Sequence, residues 1–351
     1  MESKTASATR LAGQVMSTDQ LREAWLHSDP IDFGDPVLAH VSFPHQKTYY
    51  PLGFPVTVAT NSPEVLEAAD QSWRHFTHLF DRPPIRLQIG ISEAESRICP
   101  PTPVCRMRDH IVSIIADGEN FAVCDLSRGS AMIWVTRAAI QHRDYFRYFF
   151  LESSALCNLS GRYATAIHAA CVALDGSGIL LCGDSGTGKS TLSYACARAG
   201  WTYVTDDGSY LIHDRPDHLV VGNYGQIRFR PTAGALFPEL RGLAVMQRAG
   251  AGKPSLELFT NPGTIPSAAG TARIEHIVFL KRAVAVQELA PFPRAIARLY
   301  MQQSVHCLPY DSEQHIVAID RLLELETYEL RYNDLDWAIR RLALLGQEGR
   351  P

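Results

Sequence analysis

Residues 179–207 read ILLCGDSGTGKSTLSYACARAGWTYVTDD, and this stretch decides the fold. Ile179 to Cys182 is a short apolar run that predicts a buried strand. Gly183-Asp184-Ser185-Gly186-Thr187-Gly188-Lys189-Ser190-Thr191 follows. It satisfies every fixed position of the phosphate-binding pattern G-x-x-x-x-G-K-[ST]. Leu192, Ala195, Cys196 and Ala199 then recur at helical spacing, with Gly200 as the stop. Thr202 to Thr205 predicts a second strand, ending in Asp206-Asp207. Strand, glycine loop and helix in that order are the context the pattern needs. The glycines let successive backbone N–H groups turn toward one anion, and the helix N-terminus adds partial positive charge. Lys189 supplies a full charge for β- and γ-phosphates, and the Ser190 hydroxyl suits Mg²⁺, a hard cation that takes oxygen ligands. The acid pair at a strand end can hold the same metal and meet an attacking group. The loop predicts an ATP and Mg²⁺ site.

Two further features lie outward of this core. His168 stands in the apolar run AIHAACVAL, fifteen residues before Gly183, and Glu239-Leu240-Arg241-Gly242-Leu243 lies downstream. Together with GDSGTGKS and the Asp pair, they resemble the catalytic domain of the HPr kinase/phosphorylase family. The likeness is close over about 155 to 245 and looser to about 345. It implies an α/β P-loop kinase domain of the HPr kinase/phosphoenolpyruvate carboxykinase-like type. It implies that Asp207 is the general base toward a serine hydroxyl, and that Lys189 holds phosphate. It also implies that Ser190, Asp206 and Glu239 serve the metal, and that His168 and Arg241 belong to the catalytic group. Relatives of this type form hexamers, so a homo-oligomer is implied as well. Thr191 stands where these kinases tend to carry an acid, and their phosphorylase loop, P-x-R-P-G-R-N, has no match. Pro293 to Arg298 is the nearest stretch, with Arg294 or Arg298 as a candidate charge-stabilising group.

The chain reads as three parts: an arm over 1–35, an α+β module over 36–145, and the P-loop domain over 146–345. Leu21 to Leu26 predicts a short helix within the arm. Val37 to Phe43, Val56 to Thr60, Ile85 to Ile91, 111–115, 121–125 and 131–135 predict strands. Asn61-Ser62-Pro63-Glu64 predicts a capped helix start, running to about Phe80. His75 and His78 share a face of it without an evident third ligand. Tyr145 to Phe150 predicts a packing helix. Ile274 to Leu280 and Glu326 to Tyr332 predict strands, Gly242 to Gly270 a long loop or lid, and Asn333 or Asp334 the cap of a last helix.

Composition narrows the function. The 351 residues carry 33 basic and 37 acidic side chains, a net charge of −4, which argues against a nucleic-acid partner. None of the eight cysteines forms a C-x-x-C pair or zinc spacing, so they read as reduced core thiols of a cytoplasmic protein. No apolar run approaches the roughly 20 residues of a membrane helix, and the N-terminus lacks a signal-peptide core. The leading expectation is ATP-dependent transfer to a serine of a protein or peptide. The alternatives are a small-molecule kinase on the same fold and a non-catalytic ATP-binding regulator. Phosphoenolpyruvate carboxykinases share the loop style but are much longer. Asp207 and Glu239 weigh against the regulator, because nucleotide binding alone needs neither.

Overall fold

The computed structural model describes residues 17–27, 41–93, 97–246, 254–260, 264–282, 286–305 and 312–348. Helix α1 spans Thr18–Leu26. An alternating pattern of buried and half-exposed residues then builds a seven-stranded sheet. Its strands are β1 (His45–Tyr49), β2 (Val56–Thr60), β3 (Ile85–Ser92), β4 (Val104–Arg108), β5 (Ile111–Ile115), β6 (Phe121–Asp125) and β7 (Ser130–Thr136), in the order β1-β2-β3-β7-β6-β5-β4. Strands β2, β3 and β7 run parallel, and β4 to β7 form an antiparallel meander. Helix α2 (Pro63–Trp73) crosses over between β2 and β3.

Three local expectations change here. Val37 to His40 lies outside the described residues, and the first described strand is β1. Helix α2 stops at Trp73 rather than near Phe80. Beyond it the chain folds back, and Leu79 and Phe80 donate their backbone N–H groups to the Gly53 carbonyl. His78 is therefore not on the helix. Ser62 occupies the cap position without a side-chain bond, while Asn61 instead pins both the N–H and the C=O of Ile91, each at 2.9 Å.

Helices α3 (Arg137–Gln141) and α4 (Arg143–Phe146), a π-helical turn at Arg147–Glu152, and α5 (Ser153–Arg162) lead to the second sheet. There β8 (Ala164–Leu174), β9 (Ser177–Cys182), β10 (Thr202–Thr205), β11 (Gly208–Ile212) and β12 (Leu219–Gly222) surround helix α6 (Lys189–Arg198) in sequence. A small three-stranded sheet follows, made of β13 (Gln226–Phe229), β14 (Val245–Met246) and β15 (Ser255–Phe259). Part of the expected loop at 242–270 is thus sheet, and residues 247–253 and 261–263 lie outside the described set. Strands β16 (Thr271–Arg282) and β17 (Glu288–Pro291), helices α7 (Arg294–Val305) and α8 (Ser312–Leu322), β18 (Thr327–Tyr332) and α9 (Leu335–Glu348) complete the chain. Asp334 caps α9, accepting from the Trp337 N–H at 2.6 Å.

Strand β9 is buried along its whole length. It lies between antiparallel β8 and parallel β16, and β16 also pairs parallel with β18. Side chains alternate between two cores, as a strand's period of two requires. Cys171, Leu180, Cys182, Ile277 and Phe279 meet α7 and α8, whereas Val172, Ile179, Leu181, Val278 and Leu280 meet α6 and α9. Helices thus cover both faces of a mixed α/β sheet. Burial pushes the Cys182 thiol up to about 12, so it packs as a neutral apolar group. Among the described residues, no helix is long and apolar enough to cross a membrane.

Phe54 links the sheets, its ring stacked on Phe80 (centroids 4.4 Å apart) and on Tyr163 (5.3 Å) at the end of α5. Phe54→Ala is expected to cost about 3–5 kcal/mol in urea unfolding, the range for removing a buried aromatic ring. A loss below about 1 kcal/mol would show that the site repacks and that the stack is not a structural joint.

Candidate functional site

The glycine loop leaves β9 at its C-terminal end and enters α6, so its amides lie at the N-terminus of a ten-residue helix. Gly183, Gly186 and Gly188 have φ of 137°, 97° and 104°, a region that side chains rarely enter. At Gly188 a Cβ would also collide with the Tyr332 hydroxyl. That hydroxyl, at the end of β18, donates to the Thr187 carbonyl at 3.0 Å. Lys189 is only 7% exposed. Its Nζ donates to the Gly183 carbonyl at 2.6 Å and the Asp184 carbonyl at 3.3 Å. Desolvation lowers its pKa, partly offset by Asp207. The Asp184 carbonyl also accepts from the Thr187 hydroxyl at 2.9 Å, closing the loop on itself.

The acid pair occupies a switch in strand pairing. One edge of β8 pairs with β10 through residues 171–173 and with β11 through residues 164–168. Asp206 and Asp207 fall between β10 and β11, where the partner changes. His168 is opposite Gly208 in that register, which brings Asp207 beside it: His168 Nδ1 is 3.1 Å from Asp207 Oδ1. This bond to His168 holds the Asp207 carboxyl below its ordinary pKa against the opposing effect of desolvation, with the Lys189 and Arg228 charges adding to the shift.

Asp206 points the other way, inward. It is 7% exposed and accepts from the Arg228 N–H at 2.9 Å and the Tyr203 hydroxyl at 3.3 Å. Desolvation raises its pKa to about 6, with the neighbouring Asp207 charge adding to the rise; the bonds from Arg228 N–H and the Ser190 hydroxyl oppose it. Two adjacent carboxyls are thereby set apart: Asp207 ionised, Asp206 near the midpoint of its titration in mildly acidic solution.

These residues share one cavity of about 410 Å³, lined by His168, Ser185, Gly186, Gly188, Lys189, Ser190, Thr191, Asp206 and Asp207. The structure brings into its wall three arginines that the motifs did not single out, Arg228, Arg230 and Arg282. The sequence held a signal for two of them. In QIRF, continued by Arg230, Ile227 and Phe229 face a core while Arg228 and Arg230 alternate to the other side.

Other expected residues are placed elsewhere. Glu239 sits in a 3₁₀ turn, where its Oε1 accepts from the Tyr194 hydroxyl at 3.0 Å and pairs with Arg198 at 3.2 Å, outside the cavity wall. Arg241 donates to the Gly234 carbonyl at 2.9 Å and is exposed. Arg298 is paired with Asp320 at 2.5 Å, and Arg294 reaches the Glu324 carbonyl at 3.5 Å. In this arrangement Glu239, Arg241, Arg294 and Arg298 are each engaged with other partners, outside the cavity wall. Tyr194 and Arg198, both on α6, are what hold the Glu239 carboxylate here.

Sequence reading also missed Tyr300 of α7. Its hydroxyl accepts from the Gly183 N–H at 3.0 Å and lies 2.8 Å from the Gly183 carbonyl and 3.0 Å from the His168 carbonyl. It ties the first glycine of the loop to the strand that carries His168. Nothing in the sequence marks a lone tyrosine 117 residues away for this place.

The donor set fits a phosphate chain and Mg²⁺. Left-handed glycines, helix-terminal amides and Lys189 suit phosphate oxygens. Ser190 and Asp206 are hard oxygen ligands, and Mg²⁺ commonly takes one or two carboxylates with the rest from phosphate and water. No cluster of three or more His, Cys, Asp or Glu side chains suited to a metal occurs among the described residues.

No family model matches the chain, and no curated protein matches it. Among solved structures, it is similar to the HPr(Ser) kinase/phosphatase from Coxiella burnetii over 53% of this chain and 99% of that one, at 14% identity and a TM-score of 0.28. The functional reading therefore rests on the residues of the cavity.

Asp206 gives a pH test. Its folded-state pKa is raised, so its buried charge costs stability above its unfolded value near 3.9, and the full cost is present above about 6. In metal-free buffer, Asp206→Asn is expected to be more stable than wild type at pH 8 by about 1–3 kcal/mol, with the gap closing toward pH 4. A gap that widens on acidification would reverse the sign and show that the ionised carboxylate is stabilising.

Proposed function

We propose that the protein is an ATP-dependent kinase that transfers the γ-phosphoryl group to a hydroxyl, most simply a serine of a protein or peptide. The observation that carries this reading is the Asp207–His168 contact at 3.1 Å, set in the same cavity as Lys189 and the glycine loop. A phosphate cradle alone would suit a nucleotide sensor. An ionised carboxylate held toward the cradle gives an incoming hydroxyl a place to bind and to leave its proton.

Each residue has a share. Loop amides and Lys189 hold phosphates, while Ser190 and Asp206 would hold Mg²⁺. Bound Mg·ATP supplies the transferable phosphoryl group and a metal that shares its charge. Asp207 accepts a hydrogen bond from the acceptor hydroxyl, orients it, and takes its proton as the new oxygen–phosphorus bond forms and the bond to the β,γ-bridging oxygen breaks, with ADP as the leaving group. A carboxyl with a lowered pKa is a weak base. That suffices for a loose phosphoryl transfer, in which positioning and charge neutralisation dominate and the proton leaves late. His168 fixes the Asp207 rotamer, and Tyr300 keeps the loop and the His168 strand in register. The serine preference and the homo-oligomer follow from the sequence resemblance, the cytoplasmic setting from the cysteine pattern, and all three belong to this proposal.

Incubation with γ-labelled ATP, Mg²⁺ and host lysate tests it. A band labelled by wild type, absent with Lys189→Ala and reduced at least 100-fold with Asp207→Asn, and stable to acid as phosphoserine is, is the expected result. Consumption of ATP without a labelled macromolecule would favour a small-molecule acceptor. Binding without turnover would make the protein a nucleotide sensor and remove the role given to Asp207.

A further inference from the structure

The two arginines that reach the glycine loop, at Ser185 and at Gly188, have no carboxylate partner among the described residues. Arg230, following β13, places Nη2 3.1 Å from the Ser185 hydroxyl. Arg282, the last residue of β16, stacks over the Tyr332 ring at 5.1 Å, and its guanidinium lies alongside Gly188. The third arginine of the cavity differs. Arg228 is paired with Glu257 at 3.2 Å, its cross-strand neighbour in the small sheet. Arg294 and Arg298 are likewise engaged away from the cavity.

Three cations, Lys189, Arg230 and Arg282, thus stand at one loop; Asp207 and Asp184 offset the charge of Lys189, but among the described residues no carboxylate pairs with either guanidinium. Amides orient toward an anion but do not neutralise positive charge. Two guanidiniums held close to one loop without a paired carboxylate repel each other unless a ligand supplies the opposite sign. In the kinase reading, Lys189 and the helix-terminal amides would take the phosphates nearest the loop. The two guanidiniums lie at its third and sixth residues and are exposed, whereas the lysine is buried. Guanidinium is a planar fork that grips phosphate oxygens in pairs.

We propose that Arg230 and Arg282 form a paired grip on the terminal phosphate of the donor, so that the site selects a nucleoside triphosphate over a diphosphate. This rests on the kinase reading of the cavity and specifies its donor class. The grip also gives the transferring group the cationic support that Arg241, Arg294 and Arg298 do not provide.

Calorimetric titration of the full chain with Mg·ADP and with a non-hydrolysable Mg·ATP analogue tests this. Wild type, Arg230→Ala, Arg282→Ala, the double variant, Arg230→Lys and Lys189→Ala would be compared. Both arginines are exposed, and melting curves would verify that each variant folds. Wild type is expected to bind the triphosphate at least 10-fold tighter than ADP. Each alanine variant should lose about 10-fold or more toward the triphosphate and stay within about 2-fold toward ADP. In the double variant the preference should vanish, and Arg230→Lys should recover part of it. Equal losses toward both nucleotides, or no loss, would overturn the grip while leaving the nucleotide site intact. If wild type binds neither nucleotide, or Lys189→Ala binds both as wild type does, the phosphate reading of the loop falls and the grip falls with it.

Discussion

Everything at the site depends on the burial of β9 between β8 and β16. A strand hydrogen-bonded on both edges and covered by helices on both faces has no freedom to shift register. Its last residue, Cys182, is therefore a fixed point from which the loop departs. Neighbours on either side supply the rest of the cavity by register alone. Strand β8 contributes His168, and β16, two residues beyond the Leu280 that abuts Gly183, contributes Arg282. Ligand groups outside the carboxyl ends of strands in an open α/β sheet are the general outcome of this geometry.

The contrast between Asp206 and Asp207 shows how position sets chemistry. The two carboxyls are adjacent in sequence and lie on opposite sides of a pairing switch. One turns into protein and loses its solvent; the other turns outward and gains an imidazole. In the proposed mechanism, the first would hold a cation in place of its proton and the second would meet the acceptor hydroxyl. No catalytic apparatus beyond a change of strand partner is needed to produce the difference.

Local signals were legible and long-range ones were not. The apolar run before Gly183, the glycine spacing, the periodicity of α6 and the cap at Asp334 each depend on residues within a few positions, and the sequence shows them. The extent of α2 depended on Gly53, whose carbonyl captures Leu79 and Phe80, and so escaped periodicity. Strand β4 is exposed along most of its length, which leaves no alternation to detect. Glu239 sat in a recognisable motif, but whether it faces the cavity or Arg198 is decided by the packing of its turn against α6. Tyr300 and Arg282 carry no local mark, because their neighbours at the site come from distant segments, and Arg230 is marked only by its alternation with Ile227 and Phe229.

The pairings β8–β9, β9–β16, β16–β12, β12–β11 and β11–β8 form a closed ring. The step that closes it joins Ile179 to His276, nearly a hundred residues later. During synthesis, the loop and α6 leave the ribosome long before the strand that seats them. A nascent chain stopped short of β16 would hold the full phosphate motif and yet have no cradle, since contacts of such separation form late. The motif thus lacks its seat until most of the chain exists, and on the proposed reading nucleotide capture would report that the ring has closed.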